Sequence, residues 1–466
     1  MTGNKQYDAV IIGGGPAGMM AAVTMAEKGL KVIIAEKNKI LGRKLRITGK
    51  GRCNVTNACD FETLTENIIA GNKFLLSSLR KFSNSDLIDY LNSSGLETVT
   101  ERGARVFPAS GRAYDVAELF VRKLKELRVP VLYDFTATKL LLDDSSVKLC
   151  GVEGILSGKK HVLYSDTVVI ATGGITYQGT GSDGSGFSLA IRAGHSVVPP
   201  LPSLIALKCA EKGDCGSMQG LTLKNTGIRL YEANKPVFED FGELMFTESG
   251  ITGPTVLSLS RYYIEKAIAH RDPVREPDEL KPYLRFDRSI YDPLNSDRRF
   301  YIELDLKPAL DDAALDKRIA GDLLKYKSKL VKNALCDLLP GAIIEPVLSR
   351  AGIGLFRQVS SISKVERNML VKALKHFRLT PLGPDDPDHG VVTQGGITLK
   401  EIDPATLSSK LLKGLYFAGE IIDADGLTGG FNLTIAFSTG RSAGLAIAKS
   451  KISDPQTLTL LNNDLT

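Results

Sequence analysis

The stretch Tyr7–Lys37, YDAVIIGGGPAGMMAAVTMAEKGLKVIIAEK, decides the fold. YDAVII is short, β-branched and apolar, as a buried parallel strand must be. GGGPAG follows at once and gives Gly13-x-Gly15-x-x-Gly18, with Pro16 and Ala17 before the last glycine. MMAAVTMAEKG then reads as a helix ended by Gly29, and KVIIAEK as a second strand closing on Glu36, 18 positions after Gly18. Alone, GxGxxG is a weak signal. Strand, glycine turn, helix, strand and acid in this order make a dinucleotide-binding βαβ unit. Gly13 allows the tight turn, Gly15 lets the backbone approach a pyrophosphate, and Gly18 lets helix and strand pack closely. The start of the helix offers N–H groups and the positive end of its dipole to phosphate. Glu36 accepts hydrogen bonds from a ribose hydroxyl and repels a 2′-phosphate, so the site fits FAD or NAD and not NADP.

Two further glycine turns choose between them. In Gly414–Gly444, GLYFAGEIIDADGLTGGFNLTIAFSTGRSAG, Leu415–Ala418 reads as a strand ended by Gly419 and Glu420, with Asp423 beyond. Gly430 then opens a helix that begins Phe431, Asn432, Leu433. TVVIATGG is another strand, running into Thr172, Gly173 and Gly174. Distant parts of a chain meeting around one ligand favour FAD over NAD. Leu140 completes the candidate cofactor set. GTGSDG, 179–184, also matches GxGxxG but follows no strand directly and lacks the acid, so it reads as a loop before a helix at 187–193. With no second such βαβ unit, NADH or NADPH is expected only as a transient electron donor.

Composition sets the frame. A chain of 466 residues exceeds one compact core, and 43% hydrophobic with 24% charged residues is ordinary for a soluble protein. Six cysteines without a CxxC pair make no disulfide framework, which points to reduced thiols and a cytoplasmic setting. The uncharged run 9–26 carries GGGP in its middle, which breaks a spanning helix, so no membrane segment is expected. A net charge of +6 permits a nucleic-acid partner without requiring one. The five histidines (161, 195, 270, 376 and 389) are scattered, so no metal site is expected.

Lys37–Arg52 holds seven basic residues, Lys37, Arg43, Lys44 and Arg52 among them, and no acid. It is either a solvated loop or a cradle for the pyrophosphate and an anionic substrate, and interleaved Gly42, Gly49 and Gly51 favour the cradle. Cys53 follows in GKGRCNVTN. It is open to four readings: a dithiol with Cys59, a metal ligand, a structural cysteine, or a catalytic thiol whose pKa Arg52 and the glycine-rich turn lower.

The blocks GRKLRITGKGRCNVTN (42–57), GARVFPASGRAYDV (103–116), GELMFTESGITGPTVLSLS (242–260) and VVTQGGITLKEIDPATLSSKLLKGLYFAGEIIDADGLTGGFN (391–432) together resemble the BaiN/YhiN-like NAD(P)/FAD-dependent oxidoreductases. The resemblance departs at Glu248 and Thr252, where the family carries histidine and serine, so no catalytic histidine is carried over. It implies an α/β fold with a Rossmann-like FAD-binding domain (1–199 and 389–466), an inserted β-barrel (200–306, with a return strand in 373–388) and a helical subdomain (307–372). Three prolines in VVPPLPSLIAL, short strand-like runs after residue 200, and a helical pattern over 307–372 with 12 Lys+Arg against 7 Asp+Glu agree with this. The charged stretch 271–299 reads as an exposed excursion.

The resemblance also implies the reduction of an electron-poor C=C, in uracil of ribosomal RNA or in small enones such as steroids. Cys53 is the first candidate acid and Tyr114 the second, with Gly51, Arg52 and Asn54 beside the flavin. Asn54 and Arg52 would steady a carbonyl oxygen. Amine oxidation is a rival activity. A flavin-binding regulator or RNA-binding protein without turnover is a rival of another class.

Overall fold

The computed structural model describes residues 6–143, 148–268, 271–297 and 299–453. His270 and the end of the second FAD-binding segment lie outside the described residues. The chain divides into two compact units. One is Met1–Pro202 with Arg271–Phe286 and Val391–Thr466; the other is Ser203–His270 with Asp287–Gly390.

The first unit is built on a five-stranded parallel sheet. Its strands are β1 (Ala9–Ile12), β2 (Val32–Ala35), β3 (Val131–Leu132), β4 (Val168–Ile170) and β5 (Leu415–Phe417), in the spatial order β5-β4-β1-β2-β3. β1 and β2 are buried along their whole length, which is why they are continuous apolar runs with no alternation. The register aligns Ile12 with Ile170 and Ala35, and Ile170 with Phe417. The carboxyl ends of four strands therefore share one edge, and the segments that leave there begin at Gly13, Glu36, Ala171 and Ala418. Ligands of parallel α/β sheets bind at this edge.

Two helices pack closely beneath it. Helix α1 (Pro16–Ala26) is buried from Ala17 to Met25. Helix α2 (Phe431–Ile452) crosses it through small residues: a Cβ on Gly440 would stand 2.3 Å from the Ala17 carbonyl oxygen. A helix apolar all round belongs inside a domain.

Residues 271–286 differ from the expected excursion. Leu280 is fully buried, Val197 bridges Val274, Arg271 donates to the Pro199 carbonyl at 3.0 Å, and Gln178 donates to the Leu284 carbonyl at 2.7 Å. A few apolar anchors among many charges hold the segment to the first unit, so it does not run with the rest of 200–306.

The second unit carries a seven-stranded antiparallel sheet formed by 377–379, 300–305, 222–232, 235–246, 250–252, 207–209 and 381–384, in that order. Its helices include Pro254–Ala267, Asp312–Lys325, Gly341–Arg350 and Lys364–Lys375.

Candidate active site

At the turn after β1, Gly13 adopts φ +101°, and a Cβ there would stand 2.5 Å from the Ala171 carbonyl oxygen. On Gly18 a Cβ would stand 2.0 Å from the Gly13 carbonyl oxygen. Gly15 is different: its backbone is extended, and a Cβ would meet no protein atom within 4 Å. Space above the start of α1 is thus open only at the glycine expected to face a pyrophosphate. Pro16 is at the first helical position, Ala17 and Gly18 follow, no side chain caps the helix, and its first turn carries no acid.

Glu36 is buried, 6% exposed. Its Oε2 accepts the Gly14 N–H at 2.6 Å, and its Oε1 accepts from Asn38 N and Nδ2 at 2.7 and 2.8 Å. The carboxylate is fixed by the glycine turn it faces, and Oε2, which accepts a single bond, keeps accepting capacity for a hydroxyl.

The basic run is largely spent inside the protein. Lys37 pairs with Asp183 at 2.6 Å, Lys44 with Glu420 at 3.3 Å, Arg46 with Glu118 at 2.8 Å and Arg52 with Glu101 at 2.5 Å. Arg43 donates to Asn38 Oδ1 at 3.0 Å. Four of the seven cations thus tie loops together, which leaves less charge for a cradle than the sequence suggests.

A polar cluster forms at the ends of β4 and β5. Glu420 Oε1 accepts the Thr393 N–H at 2.7 Å, and Lys44 Nζ also donates to Thr176 Oγ1 at 2.9 Å. Thr393 Oγ1 accepts the Ile175 N–H at 2.9 Å, and a Cβ on Gly174 would stand 2.0 Å from it. Gly173 sits against Ser182, where a Cβ would stand 2.8 Å from its Oγ. On Gly419 a Cβ would stand 2.8 Å from that of Ala17. Asp423 follows, its N–H bonded to the Ile397 carbonyl at 3.1 Å. Gln394, next to Thr393, is fully buried, and neither its Oε1 nor its Nε2 has a protein partner. Thr172 Oγ1 and Asn54 Oδ1 are likewise buried and unpaired. An unsatisfied buried polar group costs about 1–3 kcal/mol, so these four atoms on three residues mark where a polar ligand is worth most. Gln394 and Thr393 escaped the sequence reading. The GG that follows them was the available signal.

The start of α2 is locked to the cysteine loop. Gly430 adopts φ +100°, and a Cβ there would stand 2.5 Å from the Thr56 carbonyl. Thr56 and Thr434 share a hydrogen bond at 2.7 Å, and Asn57 Nδ2 donates to the Gly429 carbonyl at 3.2 Å. Phe431 is buried and Leu433 half-buried; Asn432 closes its own turn by bonding both backbone groups of Gly426. No side chain caps this helix either.

Cys53 corrects an expectation. It is fully buried, adopts φ +59°, and its N–H bonds the Thr48 carbonyl at 3.0 Å. Burial pushes the thiol up to about 12, against a small opposing effect of the Thr48 hydrogen bond. Arg52 does not lower it, because its guanidinium turns outward to Glu101 and lies 4.4 Å from the Phe107 ring centroid. The thiol is protonated at neutral pH. Cys53 and Cys59 are both free. Gly51 is exposed in the same loop. Tyr114 is 54% exposed, with the Arg46 guanidinium 4.6 Å from its ring centroid. Leu140 pairs with Val152 in a separate three-stranded antiparallel sheet and lies on none of the glycine turns. Among the described residues, no cluster of three His, Cys, Asp or Glu is arranged to hold a metal, and no helix is long and apolar enough to cross a membrane.

The family model described as the HI0933-like protein Rossmann domain matches residues 7–446, from β1 through most of α2. The chain belongs to the HI0933-like family. It is an FAD-dependent oxidoreductase. The HI0933-like relatives include the 3-dehydro-bile acid delta(4,6)-reductase of Clostridium scindens, 28% identical over 94% of this chain and 98% of that protein. They also include the ribosomal RNA dihydrouridine synthase of Haemophilus influenzae, 26% identical over 96% of this chain and all of that protein. The HI0933-like fold is similar to that of 3-ketosteroid delta1-dehydrogenase from Sterolibacterium denitrificans, with a TM-score of 0.50 at 14% identity over 96% of this chain and all of that one. The open approach at Gly15 and the unpaired atoms of Asn54, Thr172 and Gln394 fit a long, polar dinucleotide.

Proposed function

We propose that this chain reduces a ring C=C conjugated to a carbonyl, with NADH or NADPH as the electron donor, and that its substrate is a uridine of 23S ribosomal RNA. The observation that carries the reading is the single edge where three glycine turns converge on buried polar atoms with no protein partner. The names of the two full-length relatives support the reaction type. A delta(4,6)-reductase and a dihydrouridine synthase each add hydrogen across such a bond.

In this reading Gly13–Gly18 and the start of α1 hold the pyrophosphate, and Glu36 holds the adenosine ribose. Thr172–Gly174, Gln394, Gly419, Glu420 and Asp423 hold the polar linker, and Gly430–Leu433 the far end. FAD, when bound, supplies the hydride. The chain supplies orientation and a proton. Cys53 has no exposed surface and serves the loop that seats α2. The acid is then Tyr114, whose phenol is exposed beside Arg46. Asn54 steadies the substrate carbonyl through its amide.

The experiment is anaerobic incubation of the holoprotein with NADPH or NADH and unmodified 23S ribosomal RNA, followed by mass-spectrometric counting of dihydrouridine. New dihydrouridine is expected. A reduced flavin that leaves the RNA unchanged yet reduces a steroid dienone would move the substrate to the small enones.

A further inference from the structure

The second unit holds a basic surface of another kind. Residues 323–336 carry Lys325, Lys327, Lys329 and Lys332, and 346–365 carry Arg350, Arg357 and Lys364, with no acid in either segment. The two segments run edge to edge. Leu330 bridges Gln358, Val331 N–H bonds the Arg357 carbonyl at 2.9 Å, and Val359 N–H bonds the Lys329 carbonyl at 3.0 Å. Three of the seven cations are neutralised from outside these segments: Lys325 by Asp337, Arg350 by Asp214 and Arg357 by Glu366. Among the described residues, Lys327, Lys329, Lys332 and Lys364 have no carboxylate within ion-pair distance.

Aromatic rings stand among them. Phe356 is 70% exposed, with Lys332 Nζ 4.6 Å from its ring centroid. Lys329 Nζ lies 4.7 Å from the Tyr326 ring centroid. An exposed ring with an ammonium over one face leaves the other face for stacking. Unpaired bases stack on such rings while neighbouring lysines meet the phosphates. The run 37–52 offers no such surface, since most of its charge is paired internally.

We propose that Lys327, Lys329, Lys332 and Phe356 form an RNA-docking surface, Phe356 taking an unpaired base and the lysines the adjoining phosphates. This rests on the uridine reading given above. The excess of unpaired cations selects an anionic partner, and the exposed aromatic selects one with bases.

The test is fluorescence anisotropy of the holoprotein with a fluorescein-labelled RNA hairpin bearing a uridine loop, over a KCl series. Phe356→Ala should weaken binding about tenfold and leave the salt slope unchanged. The triple variant Lys327→Gln/Lys329→Gln/Lys332→Gln should lower the slope by about 2, since each phosphate contact contributes roughly 0.7. Flavin reduction by NADPH should match wild type in both, which reports intact folding. Affinities within about twofold of wild type in both variants would overturn the proposal, given that single contacts of this kind change affinity more. So would wild-type protein that binds anionic phospholipid vesicles or polyglutamate as tightly as the hairpin. RNA binding lost in the variants, with no dihydrouridine made by wild type, would uphold the surface and refute the uridine reaction. Dihydrouridine made equally by wild type and variants would refute the surface alone.

Discussion

Gly15→Ala separates cofactor binding from folding. The position has an extended backbone that alanine adopts, and its Cβ would meet no protein atom within 4 Å. The apoprotein should therefore change in stability by less than about 1 kcal/mol, the scale of an N-cap glycine-to-alanine exchange. The methyl group instead fills the approach to the start of α1. A hydrogen bond to a charged group contributes about 1.5–3 kcal/mol, so one lost N–H to phosphate weakens FAD binding roughly 10- to 150-fold. Gly18→Ala is the counterpart: its Cβ would stand 2.0 Å from the Gly13 carbonyl oxygen, so overpacking of about 1–3 kcal/mol or more should appear in the apoprotein itself. FAD titration followed by flavin fluorescence gives the affinities, and urea unfolding of the apoproteins gives the stabilities. A Gly15→Ala protein that binds FAD like wild type would refute the placement of the pyrophosphate over this turn.

Other predictions follow the same reasoning. Iodoacetamide at pH 8 should label the exposed Cys336 in the native protein and spare Cys53, since a thiol pushed to about 12 is thiolate in only about one molecule in ten thousand at that pH; peptide mapping reads this, and equal labelling would contradict the burial. Tyr114→Phe should slow substrate-dependent flavin reoxidation about 100-fold with flavin reduction unchanged, while Cys53→Ala stays within about threefold; the reverse pattern in stopped-flow absorbance would restore the thiol as the acid. His195 is buried, with Nε2 2.7 Å from Ser409 Oγ and Nδ1 3.2 Å from Glu401, and burial holds its pKa below the usual histidine value despite that carboxylate. Its unfolded state binds the proton more readily, so the stability it contributes is present above pH ~6.5 and declines as pH falls below that. Urea midpoints measured against pH should show this decline, and His195→Gln should remove it.

The sheet core was legible because a buried parallel strand is a local apolar run followed at once by a glycine turn. Gly18 could be read from its neighbours, since its close contact is with Gly13, whereas Gly13 meets Ala171 and Gly430 meets Thr56, contacts made only in the folded chain. The charges could not. Arg52 adjoins Cys53 in sequence, but Glu101 draws its guanidinium to the surface, and nothing near position 52 announces that partner. Lys44 meets Glu420, 376 positions on, so its neutralisation is invisible until the sheet is closed. Gln394 reads as an ordinary polar residue in VVTQGGI; only its complete burial without a partner distinguishes it. The charged stretch 271–286 hid its role because single leucines, not a periodic face, anchor it.

The most direct test of the central claim is the flavin spectrum of the holoprotein under strict exclusion of oxygen. NADPH or NADH is added until the oxidised band bleaches, and then a conjugated C=C substrate, uridine-containing RNA or a steroid dienone, is added. The account predicts that the oxidised band returns with one of them in step with formation of the saturated product. Recovery only on admitting oxygen, with peroxide released, would make the protein an oxidase, and no recovery with any substrate would make it a flavin-binding protein without turnover.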